Sequence, residues 1–338
     1  MRTRRRSAAP SRALTRAVSR LATSSFKAGT RLVGTMTQNV LDHAAEQMRP
    51  PPGAGDWLAG FAVGPGGMRR YHLFRPHGIG LREQRPLLVM LHGCGQTGRE
   101  FALSTRMNQL AARERFLVLY PEQDRRVHPQ GCWDWYATRS GQAYAEMGTL
   151  LAIIDQVIRL YPVDPEAVGV AGLSAGAGMA ALLAHRQPRR FCAVAMHSGV
   201  APGSANSTAS AIGAMLGTRE LDLAAPSHAL PPLLVLHGTR DGVVAPANGA
   251  AAAYAWAETS GARAAPAREV RRGNRYACEI TDFRLRGALC VQWVAIEGLG
   301  HAWSGGAQQK FSDPRGPDAS KMVWRFMQRC LPESLCGK

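Results

Sequence analysis

The chain has 338 residues, of which 46% are hydrophobic and 19% charged, as in an ordinary globular protein. No apolar run reaches the ~20 residues that a helix needs to cross a bilayer, and no internal repeat is present, so the sequence excludes a membrane-spanning or a repeat protein. The net charge of +17 is uneven, because residues 1–50 carry ten Arg and Lys against two acids. This balance favours an anionic surface as partner. Nucleic acid is a weaker expectation, because no nucleic-acid-binding motif is present.

The first segment, residues 1–55, is predicted to be a basic leader followed by a linker. It begins with arginines but lacks the continuous apolar run of a secretory signal. Within residues 12–26, leucine and valine recur on one side and arginine on another, which is typical of a basic amphipathic helix on a membrane or another anionic surface. A disordered leader is the alternative. The Pro- and Gly-rich residues 48–55 indicate a linker, so we place one folded domain at residues 56–338.

Beyond the linker, short apolar runs alternate with segments of helical pattern. The predicted strands are Trp57–Val63, Met68–Phe74, Pro86–Leu91, Phe116–Tyr120, Val168–Gly172, Cys192–His197 and Pro232–His237, followed by a hairpin of Ala277–Phe283 and Leu289–Ile296. The predicted helices are Arg99–Arg113, Ala143–Leu160, Ala177–Arg186 and Asn248–Ser260. This alternation predicts an α/β protein with a mostly parallel central sheet and helices on both faces. Ligands of such sheets bind at the carboxyl ends of the strands, so functional side chains should follow strands.

The most informative segment is Gly172-Leu-Ser174-Ala-Gly176, a Gly-x-Ser-x-Gly pentapeptide between a predicted strand and a predicted helix. In this context the motif forms a nucleophile elbow, a tight turn that exposes the serine hydroxyl. The two glycines lack the Cβ that would collide with neighbouring backbone. Chance occurrence in a chain with 36 glycines is the alternative. The strand, turn and helix pattern favours Ser174 as a nucleophile.

A serine nucleophile needs a base for its proton and a carboxylate that orients the base. Asp241 follows a predicted strand, and His301 lies in a glycine-rich loop behind the last strand. The order Ser, Asp, His is that of α/β-hydrolases. Asp222 and Asp282 are weaker candidates, because the first precedes its strand and the second lies within the hairpin. A turn-forming Asp-Gly is the alternative interpretation of Asp241.

The backbone N–H groups of Ala175 and Cys94 are the candidate donors to an oxyanion. Cys94 lies in a loop after a predicted strand, and a disulfide to Cys132 would fix that loop. Three further histidines end strands and are expected to pack or hydrogen-bond locally: His92, His197 and His237.

Seven cysteines are too many to ignore and too few for a small disulfide scaffold. The candidate pairs are Cys94 with Cys132, Cys278 with Cys290 across the hairpin, and Cys330 with Cys336 around the last turn. Cys192 is expected to be a buried thiol. Three disulfides would indicate an oxidising compartment. The spacing shows no zinc pattern, and we expect neither a metal nor a cofactor.

Aromatic residues cluster beside one of these cysteines, in Cys132-Trp-Asp-Trp-Tyr136. Aromatic side chains in a loop are typical of the wall of an apolar cleft. We expect Trp133, Trp135 and, next to the candidate base, Trp303 to bind substrate. Packing under the loop is the alternative for each ring.

These motifs together resemble the esterases of the polyhydroxybutyrate depolymerase family, which also includes feruloyl and acetylxylan esterases. The resemblance runs from about Leu87 to Phe326. Its motifs are Leu91-His-Gly-Cys-Gly-Gln96, Gly131-Cys-Trp-Asp-Trp135, Gly172-Leu-Ser-Ala-Gly176, His237-Gly-Thr-Arg-Asp241, Gly300-His-Ala-Trp-Ser-Gly-Gly306 and Asp313-Pro-Arg-Gly-Pro-Asp-Ala319.

The resemblance implies an α/β-hydrolase fold and names the same residues. It makes Ser174 the nucleophile, Asp241 the acid and His301 the base. The oxyanion donors are then Cys94 and Ala175, and the substrate contact in the aromatic loop is Trp133.

Extracellular depolymerases of the family carry a secretory signal and a separate polymer-binding domain, and this sequence shows neither. We therefore expect short oligomers, soluble esters or amorphous polymer as substrates. The family and the cysteines favour an extracellular or periplasmic location, whereas the missing signal leaves the cytoplasm open.

We predict a carboxylic ester hydrolase with an acyl-serine intermediate, acting on polyhydroxyalkanoate-type (3-hydroxybutyrate) esters or oligomers. Feruloyl or acetylxylan esters are the alternative substrates. A catalytically idle protein that binds storage granules or membranes through its basic leader is an alternative of a different class. Nucleic-acid binding through residues 1–31 is a third.

Overall fold

The computed structural model describes residues 49–80, 82–217 and 226–332. The chain divides into two units, residues 1–50 and 51–338, and every element below belongs to the second. The predicted amphipathic helix at residues 12–26 lies outside the described residues, as do Asp222 and Cys336.

An eleven-stranded sheet forms the centre of the domain and confirms the predicted α/β architecture. Its strands are β1 (Gly55–Gly64), β2 (Gly67–Pro76), β3 (Arg85–Leu91), β4 (Leu117–Glu122), β5 (Val163–Leu173), β6 (Ala193–His197), β7 (Leu233–Gly238), β8 (Arg263–Ala264), β9 (Arg268–Val270), β10 (Cys278–Leu285) and β11 (Ala288–Ile296). They lie in the order β1-β2-β4-β3-β5-β6-β7-β11-β10-β8, with β9 beside β10. The central run from β4 to β11 is parallel. The two edges are antiparallel.

Helices cover both faces because the strand residues alternate between two cores. Leu87 and Val89 of β3 belong to one core, and Leu88 and Met90 belong to the other. The described α-helices are α1 (Gly98–Thr105), α2 (Met107–Glu114), α3 (Gln142–Leu160), α4 (Ala175–Arg186), α5 (Thr208–Met215), α6 (Ala247–Thr259) and α7 (Ala319–Gln328). The first core contains residues of α3, α4 and α6, and the second contains residues of α1, α2 and α7. None of the helices that the structure describes is long and apolar enough to cross a membrane.

Two predictions of local structure were wrong. The single helix predicted at Arg99–Arg113 is two helices, α1 and α2, because Arg106 adopts a left-handed φ of 56° between them. Its N–H still bonds to Ala102 O, as in a helix C-cap. No helix was predicted between β6 and β7, yet this segment contains α5, which begins with a capping box between Ser207 and Ser210.

The predicted hairpin forms as β10 and β11, but its two cysteines do not pair. Cys278 lies opposite Ile296 at the open end of the hairpin, whereas Cys290 lies near the turn. Cys290 and Ile296 are six residue steps apart on β11, which is about 20 Å at the rise of a strand and far beyond the reach of a disulfide. Among the described residues, Cys278, Cys290 and Cys330 have no disulfide partner, and the predicted partner of Cys330, Cys336, lies outside them. Cys192 is also free and is partly buried.

Candidate active site

The predicted nucleophile lies in a strained turn between β5 and α4. Ser174 adopts φ 56° and ψ −120°, a backbone conformation that a non-glycine residue rarely takes. Its N–H donates to His197 O at 2.9 Å. A Cβ at Gly172 would come within 2.2 Å of Gly176 O, and one at Gly176 within 2.2 Å of Leu91 O. Both positions therefore require glycine, which explains why the turn has this sequence.

Asp241 and His301 come together in the loops after β7 and β11. The Asp241 Oδ2 atom accepts a hydrogen bond from His301 Nδ1 at 2.8 Å. The other oxygen, Oδ1, accepts the backbone N–H groups of Val243 and Val244, each at 2.9 Å. Burial alone would raise the pKa of this carboxyl, but its donors, His237 and His301 first among them, hold the pKa well below the ordinary range. Asp241 is therefore ionised at neutral pH and orients the His301 ring.

Ser174 and His301 line the same cavity, which has a volume of about 450 Å³. We call its polar end the group formed by these two side chains and the N–H groups of Cys94 and Ala175. We call the rest its apolar wall, to which hydrophobic side chains from six parts of the chain contribute. The wall residues are Trp133, Trp135, Tyr136, Leu173, Val200, Ala211, Ile212, Met215, Val243, Val244 and Phe311.

Cys94 of the loop after β3 lines this cavity. Gly93 N–H donates to the side-chain oxygen of Gln96 at 3.0 Å, and Gln96 N–H returns to Gly93 O at 3.3 Å. Gly95 N–H donates to Gln130 O at 2.8 Å. Within the part of the chain that the structure describes, the Cys94 N–H has no hydrogen-bond partner.

The second predicted donor, the Ala175 N–H, belongs to the first turn of α4. N–H groups in the first turn of a helix have no partner within the helix, and the helix dipole makes this end attractive to negative charge. Ala175 lines the same cavity as Cys94. Both predicted donors thus belong to residues that line one cavity.

A disulfide between Cys94 and Cys132 confirms the predicted bridge. The two Cα atoms are 4.3 Å apart, and 38 positions of sequence separate the cysteines. On the chain-entropy model such a loop closure contributes about 4 kcal/mol to stability. The bridge joins the loop after β3 to the aromatic loop, so the positions of both loops depend on it.

Two of the three predicted substrate-binding tryptophans line the cavity. Trp133 is 1% exposed. Its indole N–H donates to His92 O at 3.0 Å, so Trp133 also holds the loop after β3. Trp135 packs over α4, where a Cβ at Gly178 would come within 2.9 Å of the indole. Trp303 does not reach the cavity, contrary to the prediction. It is buried in the second core and donates to Ser320 Oγ at 3.1 Å.

Trp303 was mispredicted because nearness to His301 in the sequence does not bring its ring to the cavity. It lies on the short strand β12 (Trp303–Ser304), which pairs with β13 (Ser312–Asp313). Phe101 meets its ring edge to face at 5.4 Å. The structure therefore gives Trp303 a packing role.

A buried carboxylate, which was not among the predicted site residues, bonds to the aromatic loop. Glu146 on α3 accepts the Asp134 N–H at 2.9 Å and also bonds to Gln123. The Gln123 side chain in turn donates to Cys132 O at 3.0 Å. Burial raises the pKa of Glu146. No motif marks this residue, because its partners are distant in sequence.

Three strand-end histidines were expected to bond locally, and each has a buried partner. The His92 ring contacts Gly93 O at 2.9 Å, and burial lowers its pKa to about 4. The His197 ring accepts Ser304 N–H at 3.1 Å, and burial, first among the causes, lowers its pKa to about 3. His197 thereby links the nucleophile turn to the segment that follows His301. The third, His237, contacts Asp241 Oδ2 at 3.3 Å.

Asp282 was the weaker candidate for the acid of this site that lies within the described residues. Asp282 lies on β10, pairs with Arg268 and Arg284 and does not line the cavity. Among residues 49–80, 82–217 and 226–332, no cluster of three or more His, Cys, Asp or Glu is placed to hold a metal ion.

The fold and the arrangement of this site define an α/β-hydrolase. The acetyl xylan esterase from Aspergillus awamori has a similar fold, with a TM-score of 0.62 and 20% identity over 81% of this chain and 100% of that one. The family model described as esterase PHB depolymerase matches residues 69–274. The chain belongs to this family.

Curated relatives carry names from two branches of the family. The poly(3-hydroxyalkanoate) depolymerase C of Paucimonas lemoignei is 30% identical over 205 residues, which are 56% of this chain and 48% of the relative. The acetylxylan esterase A of Aspergillus oryzae is 24% identical over 237 residues, which are 65% of this chain and 75% of the relative. The chain spans 48% of the length of the first of these relatives. It spans 26% of the length of the poly(3-hydroxybutyrate) depolymerase of Ralstonia pickettii.

Proposed function

We propose that the protein is a carboxylic ester hydrolase that works through an acyl-enzyme on Ser174. The observation that carries this proposal is the 2.8 Å hydrogen bond between Asp241 and His301 behind a cavity that His301 shares with Ser174. His301 Nδ1 is committed to the carboxylate, which leaves Nε2 to take the serine proton. Family membership supports the same reaction class.

The reaction proceeds in two halves. Ser174 Oγ attacks the ester carbonyl as His301 takes its proton, and the carbonyl oxygen gains a negative charge. His301 then gives the proton to the departing alcohol, which leaves an acyl-Ser174 ester. Water attacks this ester with His301 again as base, and the carboxylic acid is released as Ser174 regains its proton.

The oxyanion of each half-reaction is stabilised by the N–H groups of Cys94 and Ala175. Both donors are backbone groups in rigid surroundings, the first held by a disulfide and the second by a helix. Donors fixed in advance need no reorganisation when charge develops, and one such donor is typically worth about 3 kcal/mol of transition-state stabilisation.

The substrate class that we propose is a polyhydroxyalkanoate-type ester or oligomer. The apolar wall of the 450 Å³ cavity suits a hydrophobic acyl or alcohol group. The relative with 30% identity is named a poly(3-hydroxyalkanoate) depolymerase. Acetylated xylan or a feruloyl ester is the second candidate, which the acetylxylan esterase relatives favour.

A hydrolysis panel tests both the reaction and the branch. Purified protein is offered 3-hydroxybutyrate trimer, methyl ferulate, acetylated xylan and p-nitrophenyl butyrate, with Ser174→Ala as the background control. Release of 3-hydroxybutyrate at the highest kcat/KM would support our proposal, and preference for ferulate or acetate would move the protein to the other branch. No turnover above the Ser174→Ala background on any ester would favour the idle, surface-binding alternative.

We also propose export to an oxidising compartment, because the Cys94–Cys132 disulfide would be reduced in most cytosols. The basic segment at residues 1–50 remains a proposed contact to an anionic surface. Fractionation of the native host, with alkylation of free thiols before lysis, tests the location: Cys94 and Cys132 should be protected in an extracytoplasmic fraction.

A further inference from the structure

The carboxylate of Asp241 has a second imidazole partner besides His301. His237, at the end of β7, brings its Nε2 atom to 3.3 Å from Asp241 Oδ2 and to 3.0 Å from Val244 O. Both groups are acceptors, so Nε2 must carry a proton. The His237 Nε2–H thus bonds to Val244 O and also lies close to Asp241 Oδ2, and the Asp241 carboxylate further accepts from His301 and from two backbone N–H groups.

The His237 ring is buried and has partners on one nitrogen atom. Its side chain is 0% exposed, and within the described residues its Nδ1 atom has no hydrogen-bond partner. A second proton on Nδ1 would create a buried cation with an unpaired N–H, which is costly. The donor that His237 offers is therefore its Nε2–H, which Val244 O and Asp241 Oδ2 share.

We propose that His237 is a positioning residue, whose Nε2–H holds the Asp241 carboxylate toward His301 and sets the acidic limb of the pH profile of ester hydrolysis. This inference rests on the proposed function of the site. A hydrogen bond from His237 spreads the negative charge of Oδ2, so that the carboxylate favours the protonated form of His301 less strongly. Without this donor, His301 would be protonated, and thus unable to act as base, at a higher pH.

Other histidines lie near this cluster. The charge of His197 on β6 would act on His237, His301 and Asp241, and burial lowers the pKa of His197 to about 3. His128 lines the same cavity as His301. On the neighbouring parallel strand, β11, the residue that pairs with His237 is Ala295. From α6, Gly249 lies against the Cβ of His237. Arg240, next in the loop, is exposed.

The experiment measures kcat/KM for p-nitrophenyl butyrate between pH 5 and pH 9 in wild type, His237→Phe and His237→Gln. The phenyl ring keeps the bulk of the side chain and removes the donor, whereas glutamine replaces the donor near the position of Nε2. We expect the acidic limb of His237→Phe to move up by about half to one pH unit, the change that losing one hydrogen bond to a charged group allows. In His237→Gln the limb should return toward that of wild type. At pH values above the acidic limb, the KM of each variant should differ from that of wild type by less than twofold.

A merely structural role would give a different result. The substitution would then lower the melting temperature and the fraction of protein that a fluorophosphonate labels. With kcat/KM calculated per labelled site, the midpoint of the acidic limb would stay within about 0.2 pH units of that of wild type. That result would overturn the inference, and so would a limb that moves down. Wild-type protein without esterase activity would instead contradict the proposed function, so the two failures are distinguishable.

A measurement on wild-type protein covers the case in which His237→Phe does not fold. In ¹⁵N-histidine-labelled protein, we expect the His237 ring to show the neutral Nε2–H form throughout the acidic limb. A His237 ring that becomes doubly protonated together with the loss of activity would contradict the inference.

Discussion

The polar end and the apolar wall of the cavity are held in place by different means. At the polar end, a disulfide, a strained turn, three hydrogen bonds to one carboxylate and a further imidazole contact fix the groups. Outside the aromatic loop the wall is less enclosed, and Ile212 and Val243 in it are 63% and 50% exposed. Chemistry therefore depends on elements anchored in the sheet, whereas substrate choice depends on loops and on α5. Substitutions at the polar end should lower kcat, and substitutions in the wall should mainly change KM and chain-length preference.

The largest effect that separates the two regions is expected for Asp241→Asn. Loss of the carboxylate should lower kcat for p-nitrophenyl butyrate by about 10⁴ with little change in KM, as for the acid of a well-studied triad. Asp282→Asn is the matched control, because Asp282 is also buried and ion-paired but lies outside the cavity. Equal losses in both variants would contradict the assignment of Asp241.

The disulfide at the polar end should give the next largest effect. The double variant Cys94→Ala, Cys132→Ala should lose about 4 kcal/mol of unfolding free energy in denaturant titrations. Its kcat should fall more than its KM rises, because the Cys94 N–H loses its fixed position. Cys290→Ala removes a free thiol and serves as the control. If the double variant unfolds at the wild-type denaturant midpoint, the bridge does not stabilise the site.

The buried carboxylate should also make stability depend on pH. The pKa of Asp241 is depressed in the folded protein, so its contribution is present above the ordinary Asp value of about 3.9 and is lost as the pH falls below it. Urea titrations from pH 6 to pH 3 should show a steeper loss of stability in wild type than in Asp241→Asn. Parallel curves would show that the donors around the carboxylate do not stabilise its charge.

The smallest expected effect belongs to the wall. Ile212→Ala should change kcat/KM for long-chain p-nitrophenyl esters by about three- to tenfold while leaving the acetate ester within twofold, because only the longer chain loses contacts. Leu160→Ala alters another exposed apolar residue away from the cavity and should change neither. A uniform loss on all chain lengths would mean that Ile212 supports the polar end.

The two regions also differ in how far the sequence predicts them. The turn at Ser174 follows from a local rule, since its glycines are required by contacts within five residues and by one neighbouring strand. Asp241 and His301 could be placed because parallel strands end at one edge of the sheet. Trp133 and Trp135 of the wall were predicted from their aromatic cluster, but Ile212 and Phe311 could not be placed, because they meet the site only through tertiary packing.

Three features of the structure were not predicted from the sequence, and each has a physical cause. The helix break at Arg106 leaves no trace in the periodicity, because αL conformation at a single residue does not interrupt the apolar pattern. Cysteine spacing could not separate the real bridge at Cys94 from the unpaired thiols at Cys278 and Cys290, since pairing depends on strand register. His237 bonds to the same carboxylate as His301, and a strand-end histidine gives no sign of that in the sequence.

The central claim is that Ser174 carries the acyl group during ester hydrolysis. Acid quenching of the enzyme in the first milliseconds after mixing with excess p-nitrophenyl butyrate, followed by peptide mass spectrometry, tests it most directly. We expect one butyryl group on the peptide that contains Ser174, and none in Ser174→Ala. A butyryl group on another residue, or steady hydrolysis by Ser174→Ala at the wild-type rate, would contradict the account.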